Sequence, residues 1–188
     1  MNKRYQIQII AEISILVAIA VVFDAIAGLF SPFKYGGSIS PAMLPIFIIA
    51  YRRGVKNGLI AGLAFGIIQS LVAAGMGNFW FLSIPQYLLD YIVPFVLLGF
   101  AGLFNQALTK RSHFILGMSI GSLLRYLSHG FAGIVFWKDY APEGMNYWFY
   151  SFIAYNLPYM AASFAFCLLV GLILFERDIL KTNLNVQS

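Results

Sequence analysis

The sequence predicts an all-α membrane protein with six transmembrane helices and both termini in the cytoplasm, and three observations carry that expectation. Its residues are 61% hydrophobic and only 10% charged, with mean hydropathy +0.82, against roughly 25% charged residues in an ordinary soluble domain. A span takes about 20 apolar residues, so a chain of 188 residues has room for about six spans in one integral membrane domain and none for a separate soluble one. The basic residues also divide by side. Lys3, Arg4, Arg52, Arg53, Lys56, Lys110, Arg111, Arg177 and Lys181 gather on one side, Lys34 and Lys138 fall on the other, and Arg125 lies within a span. That bias, nine against two, places the first side in the cytoplasm. The net charge of +5 has the same origin and is too small to argue for a nucleic-acid partner.

The spans follow in order as approximately 8–30, 41–51, 57–75, 83–104, 113–137 and 147–175. The N-terminal segment resembles a secretory signal in having a basic front and an apolar run, but Glu12 and Asp24 interrupt the run and it continues to about Phe30, so it reads as the first span. Both acids are expected at its interfaces. Lys34–Ser40 is a turn-rich loop. The second span, Pro41–Tyr51, would cover only about 16 Å as a helix, so it is re-entrant, tilted, or extended backwards through the glycines. The third is rich in glycine and alanine, which permits close helix approach. Trp80 marks a membrane edge, the fourth span starts near Pro85 and carries Asp90, and Lys110-Arg111 separates it from the fifth. Lys138–Asn146 forms a polar loop before the last span, and the tail after Phe175 is polar and expected to fray. Cys167 reads as a small buried hydrophobe, since no second cysteine exists to pair with it.

Several chemistries are excluded. There is no phosphate-binding glycine loop with a lysine and no HExxH pair, and two histidines with one cysteine argue against a metal site. No cofactor is indicated. Voltage-sensor arginines, a carbonyl filter and matching broken helices in two halves are not evident. A protein this small, with a pocket but no engine, suggests a substrate-capturing subunit of a larger machine.

The pocket comes from depth. Asp90 follows the outer end of its span by about seven residues, His129 precedes the exit at Trp137 by about eight, and Asn156 follows the last entry by about nine, which places all three roughly 10–14 Å below the outer surface. Trp80, Trp137, Trp148 and Tyr150 lie above them. An acidic floor under aromatic walls suits a small flat, cationic or hydrogen-bonding ligand. Each residue also has a plainer reading. Asp90 could neutralise Arg125, His129 and Asn156 could be interhelical hydrogen-bonding groups, and the tryptophans are what an aromatic belt produces. Arg125 itself reads as a structural cation set too deep to reach a ligand.

The motifs GGSIS, LPIFIIAYRRGVKNGLIAG, LSIPQYLLDY, HGFAGIVFW, YAPEGM and YSFIAYN occur in this order. Together they resemble the thiamine-specific substrate-binding (S) component of energy-coupling factor (ECF) transporters, over roughly Ala11–Phe175. The resemblance implies six transmembrane helices in the cell membrane, a vitamin bound near the extracellular face, and no enzymatic activity. It further implies assembly with a coupling membrane subunit and two cytoplasmic ATPase subunits. Its ligand-binding positions fall on Trp80, Asp90, Tyr91, His129, Trp137, Tyr150 and Asn156, and its small-xxx-small contact surface for the coupling subunit on Ser14 and Ala18. The chain departs from the family in carrying Asp90 where a glutamate is expected and Gly37 where a tryptophan is expected. Tyr150 and Asn156 are six apart rather than five, about 120° around a regular helix, so Tyr150 joins the pocket only if the helix starts late or bends, with Tyr147 and Tyr155 as alternatives. A thiamine precursor or another vitamin as ligand, a stand-alone secondary carrier, and an intramembrane enzyme using Asp90 and His129 as an acid and base pair are the competing readings.

Overall fold

A computed structural model describes residues 3–33, 37–177 and 179–180. Lys34, Lys181 and most of the tail, on which part of the charge argument and the expected fraying rest, lie outside the described residues. Among the described residues every regular element is a helix. Its long elements are α1 (Lys3–Leu29), α2 (Met43–Gly75), α3 (Ile84–Leu103), α4 (Arg111–Phe136) and α5 (Phe149–Glu176). Of these, α1, α2, α3 and α5 are long and apolar enough to cross a membrane. The fifth, α4, carries Arg125 and His129 together with Ser112, Ser119, Ser122 and Ser128, and it is two-sided, with Arg125, Ser122 and Ser128 buried while Leu116, Leu123, Phe131 and Val135 are exposed.

The expected second and third spans are the two arms of α2. Gly54 breaks the helix with φ 80° and ψ 174°, a region of backbone space that is essentially restricted to glycine. The arms fold back on one another there. A Cβ built on Gly58 would stand 2.7 Å from the Cβ of Ala50, although eight residues of continuous helix span about 12 Å. The shortness of the first arm, 43–53, then has a simple cause. Every residue from Met43 to Ala50 is buried, with Ile46, Phe47, Ile49 and Ala50 at 0% exposure. A helix that is apolar all round belongs inside a bundle, and this one is the centre of the core, packed by Val17 and Ala20 of α1, Leu98 and Ala101 of α3, Phe114 and Met118 of α4, and Cys167 of α5. Cys167 is a free, fully buried thiol.

The second arm, 55–75, packs against α3 backbone to backbone. Gly58, Gly62 and Gly66 form a stripe at four-residue spacing, and the atoms they meet belong to Gly99, Phe95 and Tyr91 in turn, also four apart but running the other way. Association of helices in lipid depends on close van der Waals packing, not on apolar burial, so small residues at such a stripe set the approach. Near the N-terminal end of α1, Glu12 ties that helix to the hinge of α2. One of its carboxylate oxygens lies 2.8 Å from Arg52 Nε and the other 2.6 Å from Arg53 Nε, and Tyr5 covers the Arg53 guanidinium at 5.5 Å. Glu12 is therefore not a solvated interfacial acid, since both of its oxygens are taken up by protein cations.

Two substitutions test this packing. A Cβ at Gly62 would come 2.1 Å from the Phe95 carbonyl oxygen, so Gly62→Ala should cost about 1–3 kcal/mol through forced separation of the helices, and Gly54→Ala a similar amount through backbone strain. Both are read as a lowered thermal midpoint of the detergent-solubilised protein, with Gly28→Ala, where a Cβ meets nothing within 4 Å, as the unaffected control.

Candidate ligand pocket

Two local irregularities build the site, and proline accounts for both. Pro94 and Pro158 sit inside helical runs where each lacks the N–H of a regular i→i−4 bond and crowds the carbonyl four residues back. The turn before each proline is widened into a π-helix, Leu88–Ile92 in α3 and Phe149–Asn156 in α5. In both, the donor reaches five residues back: Val93 N–H to the Leu88 carbonyl and Leu157 N–H to the Phe152 carbonyl. Such turns re-aim side chains and recur at functional sites. Here the first carries Asp90 and Tyr91, and the second carries Tyr150 and Asn156. The carbonyl of Leu89, bypassed in the widened turn, accepts instead from Ser128 Oγ of α4 at 2.9 Å.

Asp90 is the polar centre. Its Oδ2 accepts from Trp137 Nε1 at 2.7 Å and from Gln86 Nε2 at 2.9 Å, and its Oδ1 lies 3.7 Å from His129 Nδ1. Gln86 is fully buried and is held by the start of α3. Ser83 caps that helix by accepting from Gln86 N, while Gln86 Oε1 accepts from Leu82 N and its Nε2 also approaches the Trp80 carbonyl at 3.3 Å. Tyr91 OH accepts from Trp80 N at 3.1 Å. On the opposite wall, Ser151 Oγ donates to the Gly130 carbonyl at 2.7 Å, Asn156 Nδ2 donates to the Ser151 carbonyl at 2.8 Å, and Tyr159 OH donates to Asn156 Oδ1. Glycine again sets the spacing, because a Cβ at Gly133 would overlap Ser151 Oγ.

These groups surround a cavity of about 330 Å³ lined from α1, the 55–75 arm, α3, α4 and α5, within the range of small-ligand sites. All seven residues singled out from the sequence, Trp80, Asp90, Tyr91, His129, Trp137, Tyr150 and Asn156, line it. The π-turn resolves the spacing of the last helix, since it brings Tyr150 to 5.8 Å from Tyr155, five residues on, and both tyrosines reach the cavity. Tyr147 and Trp148 do not. They are 44% and 49% exposed, and Trp148 stacks on Phe152 outside the cavity, so the expectation that Trp148 walls the pocket is not met. Gly37 has φ 85° and lies against the Tyr159 ring, leaving no room for an aromatic side chain there without displacing Tyr159. Ser14 and Ala18 are exposed on α1, away from the cavity.

Three expectations about charge are corrected. Asp24 does not sit at a solvated interface; it lines the cavity beside Ser40 and Gln69. Arg125 is 7% exposed, yet it too lines the cavity, with its guanidinium 4.7 Å from the Phe95 ring centre. Nor does Asp90 neutralise Arg125 directly, since among the described residues no ion pair joins the two. Asp24 and Gln69 were missed because both lie outside the motifs that drew attention, whereas Gln86 lies within LSIPQYLLDY and was passed over in favour of Asp90. Gln86 alone left a local trace, four residues before Asp90 and therefore on the same helical face.

Comparisons with known proteins bear on the family and the fold. Residues 10–183 match the family described as Thiamine transporter protein (Thia_YuaJ). The chain is 39% identical over 185 residues to the thiamine transporter ThiT of Bacillus subtilis, covering 93% of this chain and 94% of that protein. It is 34% identical over 166 residues to the thiamine transporter ThiT of Lacticaseibacillus paracasei, covering 81% and 80%. A solved structure of ThiT from Listeria monocytogenes superposes with a TM-score of 0.78 at 28% identity, over 94% of this chain and 96% of that one. With the family matched along nearly its whole length and the fold shared, the chain is a membrane protein that belongs to the thiamine transporter family.

Proposed function

We propose that this protein is the substrate-binding subunit of an ECF transporter, which captures thiamine at the extracellular side of the cell membrane and delivers it by assembly with a coupling membrane subunit and two cytoplasmic ATPases. The observation that carries the reading is the Asp90 carboxylate, fixed by Trp137 and Gln86 at the wall of an aromatic-lined cavity. Thiamine pairs an aminopyrimidine, which donates hydrogen bonds, with a cationic thiazolium. A carboxylate satisfies the first and offsets the second, while Trp80, Trp137, Tyr91 and Tyr150 offer ring faces for stacking and cation–π contact. Asn156 and His129 supply further polar contacts at the same level.

In this reading the five long helices, with α2 counted as two arms, make six transmembrane helices with both termini cytoplasmic. The basic residues at the N-terminus, the α2 hinge and the α3–α4 turn support that orientation. Ser14 and Ala18 form a small-residue face on α1 that meets the coupling subunit. The Asp90 and His129 pair is also what an intramembrane acid and base would need, and turnover of thiamine by the isolated chain would favour that alternative. Uptake in vesicles without ATPases would favour a secondary carrier.

Intrinsic tryptophan fluorescence of the purified chain should change saturably on titration with thiamine at micromolar concentration or below; no response, with tight binding of another vitamin, would refute the ligand assignment. Asp90→Asn keeps the shape and removes the charge. At about 6 Å and an effective dielectric of about 20 that charge is worth roughly 2–3 kcal/mol, so thiamine affinity should fall about 30–150-fold, while an uncharged analogue loses less. Cysteines introduced beside Lys3 and beside Lys138 should differ in reaction with an impermeant thiol reagent applied to whole cells, with labelling only near Lys138.

A further inference from the structure

Gln86 is a neutral side chain at 0% exposure, and both hydrogens and the oxygen of its amide are engaged. One hydrogen goes to Asp90 Oδ2 at 2.9 Å and the other to the Trp80 carbonyl at 3.3 Å, while Oε1 accepts from Leu82 N at 3.1 Å. Turned over, the amide would set its oxygen against two acceptors and its nitrogen against a donor, so one orientation fits. The effect on Asp90 is asymmetric. Oδ2 accepts from Gln86 and from the Trp137 indole at 2.7 Å, whereas Oδ1 has His129 Nδ1 at 3.7 Å, beyond a hydrogen bond. Since Asp90 lines the cavity, the oxygen left to accept from a ligand is Oδ1. The effect on Trp80 is of the same kind. Its side chain lines the cavity but the residue is 45% exposed, so burial does not place it. Its backbone is held instead, the carbonyl by Gln86 and the N–H by Tyr91 OH at 3.1 Å.

We propose that Gln86 is a positioning residue for ligand recognition: with Trp137 it takes up Asp90 Oδ2 and so presents Oδ1 to an amino group of the ligand, and with its second amide hydrogen it fixes the Trp80 backbone, so that carboxylate and rim indole are set as one unit. The proposal rests on the reading of the cavity as a thiamine site. It assigns distinct tasks to the two oxygens of one carboxylate. Oδ2 is structural, and Oδ1 selects for a hydrogen-bond donor. Without Gln86 the carboxylate keeps Trp137 but loses the second donor that fixes its rotation, and either oxygen can then turn to the ligand. Gln86 itself does not line the cavity, so its influence on the ligand passes through Asp90 and Trp80.

The test compares thiamine with its analogue bearing a carbonyl oxygen in place of the pyrimidine amino group, by fluorescence titration of the full-length protein in detergent, and reads the ratio of the two dissociation constants. Gln86→Met keeps the size of the side chain and removes its donors, and the preference for thiamine should drop about tenfold. In an Asp90→Asn background the same substitution should leave the ratio where Asp90→Asn alone puts it, because residues that act through one another are not additive. Gln86→Glu supplies a rescue and keeps the proposal testable should Gln86→Met fold poorly. Two carboxyls so close share a proton as the pH falls, and that proton replaces the amide hydrogen on Asp90 Oδ2, so the preference lost at pH 8 should return towards that of the unmodified protein by pH 6. The unmodified protein at each pH is the reference, since His129, 3.7 Å from Asp90, and Asp24, Tyr91 and Arg125 on the cavity wall are common to both. Equal loss of both ligands in Gln86→Met, a further drop in the Asp90→Asn background, or no recovery of Gln86→Glu at pH 6 would each overturn it. Failure of the unmodified protein to bind thiamine would overturn the ligand assignment and this proposal together, whereas thiamine binding with an unmoved ratio would overturn only the role of Gln86.

Discussion

A carboxyl group inside a membrane-embedded helical bundle has to be surrounded by hydrogen-bond partners, and the solvation of Asp90 is the constraint that the rest of the structure serves. Water would supply those donors at a surface; here the protein does. The indole N–H of Trp137 comes from the far end of α4 and the amide of Gln86 from one turn earlier on α3, with the imidazole of His129 beside them. Holding these groups requires α3 and α4 at a set distance, and the bond from Ser128 to the Leu89 carbonyl ties the helices at that level. The carboxylate is thus presented with its donors already in place, which reduces the ordering that a ligand must otherwise drive.

Backbone irregularity makes this possible. In lipid, every backbone polar group needs an internal partner, and departures from regular helix are tolerated only where protein or a cavity receives them. The π-turns before Pro94 and Pro158 both face the cavity, and both carry residues that line it. The glycine stripe on the 55–75 arm lies against the first of them, since Gly66 meets the Tyr91 carbonyl. A packing device and a site-forming device therefore share the same few residues. The Gly54 hinge plays the complementary part by turning the chain so that one arm becomes core and the other packs against α3.

Much of the architecture could be read in the sequence because lipid simplifies the problem. Length and apolarity mark the helices, and the glycine-rich third span was expected to pack closely. The short second span was recognised as too short to cross on its own, and burial on all sides explains it. The convergence of Asp90, His129 and Asn156 followed from counting residues from the helix ends, because a rise of about 1.5 Å per residue turns sequence position into depth. What depth does not supply is azimuth. Trp148 was placed at the right level but on the wrong side of its helix, and Tyr150 was doubted because a regular helix was assumed where Pro158 imposes a π-turn.

The same distinction returns at the charges. Composition, the division of basic residues and the ordered motifs determined by themselves that this is a helical membrane protein of the thiamine transporter family, with a polar cluster in one half. Only the tertiary structure decided which charged groups share the cavity. Asp24 and Arg125 are about one hundred residues apart in the sequence, on α1 and α4, yet both line the same cavity as Asp90. Charge pairing falls off with distance in space and with the dielectric between the groups, and neither quantity is encoded in the order of residues along the chain.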